Sequence, residues 1–167
     1  FQLLLEYPFC ANSGKLGPKR KEGDYQIPEG LYYIDRFNPN SNFLLSLGLD
    51  YPNRSDKLRG DPNRPGNDIF IHGGCITIGC IPITNDKIQE LYILAKQAKG
   101  QGQDRIRVDI FPAKMTNRAL SRLGRRFPEY AQFWEELAPF YNFFETQREV
   151  PRFSVDPFGK YQLSTRS

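Results

Sequence analysis

The stretch "IHGGCITIGCIPI", residues 71–83, sets the only histidine of the chain, His72, beside two of its three cysteines, Cys75 and Cys80, in an otherwise apolar run. Three chemistries fit these letters. In the first, "NDIFIHGG" is a buried strand that ends at a glycine turn and presents His72 at its terminus. A thiol attacks carbonyls as thiolate, and a neighbouring imidazole lowers its pKa. "TIGC" places Cys80 after a glycine, which leaves the N–H groups of Gly79 and Cys80 free to face a developing oxyanion. On this reading Cys80 is the most acidic and most reactive thiol. In the second, His-x-x-Cys-x-x-x-x-Cys supplies three zinc ligands, with Cys10 or Asp68 as a candidate fourth. No Cys-x-x-Cys knuckle accompanies it, and no glutamate stands two residues after His72 as deaminase chemistry requires. In the third, Ile76, Ile78, Ile81 and Ile83 are core and the cysteines are buried among them.

Composition narrows the class. A chain of 167 residues fits one domain, or one domain with a modest appendage, without obligatory metal or disulfide staples. Phe1 opens the chain and Met115 is its sole methionine, so the sequence is expected to begin after processing or at a trimmed boundary, with any targeting segment upstream. No run approaches the roughly 20 apolar residues that span a bilayer, so no membrane span is expected in the visible chain. The net charge of +4 is concentrated in "KLGPKRK", "NRSDKLR" and "NRALSRLGRR". Such clusters are first of all solvated faces and only weakly suggest an anionic partner. Nucleic acid is not expected, because the clusters lack an aromatic platform or a known binding motif. Three cysteines cannot all pair within one chain, so at least one is free, reactive or metal-bound. A secreted protein could hold one disulfide and one working thiol.

The first half reads as short strands, "FQLLLEY", "LYYIDRF" and "FLLSLGL", between long turn-rich loops. The loop over 51–68 is long enough to be a binding loop. "TNDKIQELYILAKQAKG" predicts a helix with Thr84 or Asn85 as N-cap, Ile88, Leu91, Tyr92 and Ala95 on one face, and Gly100 at its end. "RIRVDIF" alternates as a half-buried strand, and Thr116 is expected to cap a helix running to about Arg126. "PEYAQFWEELAPFYNFFETQRE" is helical with an aromatic stripe that docks on the core, and Pro139 is expected to kink or split it.

At these residues the sequence resembles the YkuD-type L,D-transpeptidase catalytic domain, and within it the YafK-like murein L,D-transpeptidase branch. The marks are His72-Gly73, then Thr77-Ile78-Gly79-Cys80 in the place of the family's Ser/Thr-His-Gly-Cys, preceded by "SGKLGPKRKEGDYQIPEGLYYI" and "FLLSLGLDYPNRSDK". The resemblance implies an α+β fold with a YkuD-like β-sandwich catalytic core over residues 1–112, long loops, and a C-terminal helical extension over 113–167 packed on it. It implies Cys80 as nucleophile, His72 as base, the Gly73 carbonyl as the group that orients the imidazole, and the Gly79 and Cys80 amides as oxyanion hole. It also implies attack on the meso-diaminopimelate carbonyl of peptidoglycan tetrapeptide stems, a thioester intermediate, no cofactor and no metal. The location implied is the periplasm or cell envelope of an exported protein, and the expected state is a monomer. Ile78 replaces the motif histidine and Pro82 stands where many members carry arginine. The cation for substrate carboxylates is then sought at Arg54, Arg59 and Arg64, with Thr77 also at the substrate. Transfer to an amine and hydrolysis that releases wall-linked material both remain open, as does a non-catalytic wall-binding domain. Cys75 is read as a buried structural thiol in preference to a partner of Cys10.

Overall fold

The computed structural model describes residues 2–164. Phe1, at the head of "FQLLLEY", and residues 165–167, at the end of the expected extension, lie outside the described residues. The elements in chain order are β1 (Gly30–Ser41), β2 (Leu44–Leu49), α1 (Arg54–Arg59), β3 (Phe70–His72), β4 (Ile81–Pro82), α2 (Asn85–Gly100), β5 (Arg107–Ile110), α3 (Asn117–Arg126), a 3-10 turn at Pro128–Tyr130, α4 (Ala131–Gln147), β6 (Arg152–Val155) and β7 (Tyr161–Ser164). Five strands form one sheet in the order β4-β3-β2-β1-β5, while β6 and β7 pair as a separate hairpin. The architecture is α+β, as expected.

Strand β1 is the wall shared by two cores, because alternate side chains of a strand leave on opposite faces. Tyr32 joins Leu47, Leu49, Ile69, Ile71, Ile81 and Ile83 beneath α2, whose Ile88 and Ala95 are buried against them. Its neighbour Leu31 joins Met115, Leu123, Trp134, Leu137 and Phe140 from the C-terminal region. Burying each large apolar side chain contributes about 1.5–3 kcal/mol. A polar tie crosses the second core: Trp134 Nε1 donates to Glu29 Oε2 at 2.6 Å, and the Gly17 N–H donates to Glu29 Oε1 at 2.7 Å. Burial pushes the Glu29 carboxyl above its ordinary pKa while these two donors pull it back.

Four expectations change. The stretch "FQLLLEY" pairs with no strand, and Leu3 and Leu4 are 78% and 75% exposed. Three consecutive leucines cannot all leave on one face of a strand. Residues 51–68 are not wholly loop, since Asn53 and Asp56 build a reciprocal capping box that starts α1. Helix α4 runs unbroken through Pro139. Burial of Phe133, Trp134, Leu137, Ala138 and Phe140 on one face outweighs the ~3 kcal/mol that an interior proline costs. The C-terminal region is helical only to Gln147 and then turns into the β6–β7 hairpin. Ser55 Oγ donates to the Gly159 carbonyl at 2.5 Å and Asn53 Nδ2 to the Tyr161 hydroxyl at 2.8 Å, so α1 anchors that hairpin.

Asp56 sits at the centre of this anchorage. Burial raises its carboxyl to about pKa 7, against the lowering effect of the Asn53 N–H, the Tyr32 hydroxyl and the Arg20 charge. An unfolded aspartate titrates near ~3.9. A carboxyl harder to ionise in the fold stabilises it fully below about pH 4, and that contribution is lost as pH rises to about 7. Denaturant midpoints measured from pH 4 to 7 should therefore fall with pH more steeply for the wild type than for Asp56→Asn; equal slopes would show that Asp56 is not the titrating group.

Candidate active site

Strands β3 and β4 are parallel, with Ile71 opposite Ile81 and His72 opposite Pro82. That register places Cys80 level with Phe70, and the two-residue period of a strand puts Phe70 and His72 on one face. All three line a cavity of about 240 Å³, whose far rim is the β1–β2 hairpin with Asn38, Asn42, Phe43 and Ser46. A larger groove of about 890 Å³ lies between the N-terminal segment and α2. It is mainly aliphatic and includes neither His72 nor Cys80.

His72 is almost fully buried and held on two sides. Its Nδ1 lies 2.5 Å from the Gly73 carbonyl oxygen. A carbonyl only accepts, so Nδ1 carries a proton and Nε2 is the ring nitrogen left without a partner inside the loop. The Phe43 ring stacks on the imidazole with centroids 4.4 Å apart. Any Cβ at residue 73 would meet the Phe43 carbonyl oxygen at 2.5 Å and Asn85 Oδ1 at 2.6 Å, so only glycine fits here. The next amide, of Gly74, donates to Asn85 Oδ1 at 2.8 Å, which pins the loop to the first turn of α2. Thr84 occupies the N-cap position without capping through its side chain. In the sequence Asn85 reads only as a candidate helix cap and Phe43 only as part of a strand, and neither carries a motif that ties it to His72.

The loop from Gly73 to Cys80 is tied twice more. Cys75 is exposed and bonded to Cys10, with Cα atoms 5.3 Å apart, and the Cys10 N–H donates to the Pro82 carbonyl at 3.1 Å. This corrects the reading of Cys75 as a buried free thiol. It also takes Cys75 out of the three-ligand zinc set. Thr77 Oγ1 donates to the Cys80 carbonyl at 2.8 Å and accepts the Gly79 N–H at 3.1 Å. Thr77 thus shapes the turn before the cysteine and occupies the Gly79 amide. Gly79 has φ +138°, open to glycine but not to other residues. Ile81 and Ile83 are core as expected, whereas Ile76 and Ile78 are 75% and 74% exposed.

Cys80 is the free thiol among the described residues. Its Sγ donates to the Asp68 carbonyl at 3.6 Å, and no hydrogen bond joins it to His72 among the described residues. Burial pushes its thiol up, opposed by the Phe70 N–H and the Lys19 charge. Burial thus works against the acidity that a neighbouring imidazole would lend this thiol. A raised thiol keeps its proton near neutral pH, so that proton has to leave during any attack by Cys80.

None of the three expected arginines lines the cavity. Arg59 is committed to Glu136 through paired bonds of 3.2 and 2.6 Å and lies over Phe133, Arg64 bonds Glu22, and Arg54 is exposed at the start of α1. Arg36 is nearer the chemistry: its guanidinium lies 4.9 Å from the centroid of Phe70 and bonds Asp68 at 2.8 Å.

Comparison with known proteins identifies relatives of this chain. A family model described as the YkuD L,D-transpeptidase catalytic domain matches residues 2–110. The chain is 36% identical over 166 residues to the protein named "Putative L,D-transpeptidase YafK" of Escherichia coli (strain K12), and equally to that of Escherichia coli O157:H7. In both cases the match takes in 98% of this chain and 65% of the relative's length. Among solved structures, the helical cell shape determining protein Pgp2 from Campylobacter jejuni is similar at 20% identity and a TM-score of 0.42, over 87% of this chain and 62% of that one.

Two chemical outcomes follow from the site. Iodoacetamide should label Cys80 in the native protein with a rate that rises with pH to a midpoint above the ~8.5 of a free cysteine; a midpoint near 6 would instead reveal a preformed thiolate. Cys10 and Cys75 should stay unlabelled until reduced, and reduction should lower the unfolding free energy by about 4 kcal/mol in the chain-entropy account.

Proposed function

From the premise that this chain belongs to the YkuD L,D-transpeptidase catalytic domain family, we propose that it is a cysteine acyl-transfer enzyme acting on peptidoglycan stem peptides in the cell envelope. The observation that carries the reading is the shared cavity of Cys80 and His72, with Nε2 freed by the Nδ1 contact to the Gly73 carbonyl. Cys80 Sγ attacks the amide carbonyl of the stem's meso-diaminopimelate as its proton passes to His72 Nε2. The carbonyl oxygen becomes an oxyanion that the Cys80 N–H meets, joined by the Gly79 N–H once Thr77 Oγ1 releases it. Collapse breaks the C–N bond, the imidazolium protonates the departing amine, and a thioester remains on Cys80. A buried, raised thiol fits this order of events, because proton and nucleophile move together.

The acyl group is then taken by an amine or by water. Transfer to an amine needs a second pocket that holds the acceptor and delivers it unprotonated. Water needs access and the same base. Ile78 has no side-chain group to hydrogen-bond an acceptor and Pro82 is buried away from one, which favours hydrolysis; the amide-bearing rim of Asn38 and Asn42 offers donors and acceptors to a polar acceptor, which favours transfer. The candidate cation for a substrate carboxylate is Arg36, which does not itself line the cavity but lies over Phe70, which does, and would have to exchange its bond to Asp68 for the substrate. The Cys10–Cys75 bond supports an oxidising location such as the periplasm.

Purified chain incubated with tetrapeptide-bearing muropeptides should give an acyl adduct on Cys80 by intact mass. Cys80→Ala should be folded and inactive, and His72→Gln should slow acylation by roughly 100-fold. Dimers joined between diaminopimelates would establish transfer, and cleavage without dimers at high acceptor concentration would establish hydrolysis. No adduct with any wall fragment would point to a wall-binding domain.

A further inference from the structure

The basic cluster "NRALSRLGRR" takes no part in the site described above. It forms α3, which Thr116 caps by accepting the Ala119 N–H, and which buries Leu123 against the second core. The cations point the other way. Lys114, Arg118, Arg122, Arg125 and Arg126 are all exposed, and the four arginines fall at i, i+4, i+7 and i+8, which is one face of a helix. From Arg118 to Arg126 the row extends about 12 Å.

Little among the described residues balances these charges: Arg125 and Arg126 stand at the negative end of the helix dipole and Glu135 shares a shallow cavity with Arg125, but no ion pair forms. Helix α3 contains no acidic residue, and none of the five cations makes an ion pair among the described residues. Arg126 rests over the Phe127 ring and has no carboxylate partner. Arg118, in the first turn, opposes the positive end of the helix dipole, and each like-charge pair at i, i+4 costs a few tenths of a kcal/mol. The segment also holds the whole positive balance of the molecule. Of 23 Lys and Arg against 19 Asp and Glu, five stand here unpaired, and the remainder of the chain has fewer bases than acids. A row of point charges on an exposed helix encloses no small ligand. It also lacks the stacking rings that hold single-stranded nucleic acid. It fits a flat surface of fixed anions.

We infer that α3 is an electrostatic docking face by which the protein rests peripherally on a bilayer rich in anionic phospholipid headgroups. Each cation near such a surface adds about 1 kcal/mol of attraction, so four together separate bound from unbound protein by on the order of 100-fold or more. No helix among the described residues is long and apolar enough to cross the membrane, and the contact needs none. Its reach is the Debye length, about 10 Å at 0.1 M salt.

The experiment is co-sedimentation of the full chain with vesicles of neutral phosphatidylcholine, with and without on the order of 30 mol% phosphatidylglycerol. Binding should appear only with the anionic lipid and disappear at about 0.5 M salt. The combined Arg118→Gln, Arg122→Gln, Arg125→Gln and Arg126→Gln variant should bind about 100-fold more weakly, and the matching lysine variant should bind as the wild type does. Lys57→Gln with Lys96→Gln, which removes exposed cations from α1 and α2, should leave binding unchanged. Unaltered far-ultraviolet dichroism and Cys80 alkylation would show that the glutamine variant is folded. Absence of binding at low salt, equal binding to both vesicles, retention by the glutamine variant, or loss in the Lys57 and Lys96 variant would each overturn the inference. So would arginine-dependent pelleting with insoluble peptidoglycan and not with vesicles, which would assign the face to the wall polymer. None of these readouts depends on turnover at Cys80.

Discussion

The Ile83 N–H donates to the His72 carbonyl at 3.0 Å, and through that bond β4 lies parallel to β3. Everything at the site follows from this register. Cys80 stands just before β4 and His72 ends β3, so the pairing brings two residues separated by a short loop to one cavity. A slip of one residue would turn His72 to the other face of the sheet. Ile71, Ile81 and Ile83 resist the slip, because each is buried in the core under α2 and would be carried out of it.

Parallel neighbours usually need a crossover of a dozen residues or more. The loop here is shorter, and it is held by groups from two other parts of the chain and by one of its own. Asn85 fixes its start, the Cys10 bond fixes its middle, and Thr77 folds its end onto the Gly79 and Cys80 backbone. Such over-determination allows Gly79 to hold a backbone conformation that favours glycine beside Cys80. It also explains why isoleucines 76 and 78 face solvent: a loop constrained at three points has no freedom to fold them inward.

The same division of labour recurs farther out. β1 separates two cores, and the residues that join them are polar. Glu29 links Trp134 to Gly17, and Asn53, Ser55 and Asp56 hold the β6–β7 hairpin against α1 and β1. Buried polar groups of this kind are stable only when satisfied, and each one dictates where its partner must be. Arg59 serves that purpose with Glu136, which is why it is absent from the cavity.

The sequence by itself determined the α+β class, α2 and α3 with their ends, the strands around Tyr32, Leu47 and Ile71, and the pairing of a lone histidine with a glycine-led cysteine. These rest on local periodicity, caps and spacing, which are encoded within a few residues. The strand expected in "FQLLLEY", the split that was one of two expectations at Pro139 and the buried Cys75 failed for the complementary reason. Strand formation needs a partner edge, helix continuity can be enforced by burial of the opposite face, and a disulfide needs Cys10 brought to the loop from 65 residues away. Phe43 against His72, Arg36 over Phe70, and the raised thiol of Cys80 are likewise properties of proximity and desolvation. The chain order placed the reactive letters together, and only the tertiary structure decided which face they share, what holds them and how readily the thiol gives up its proton.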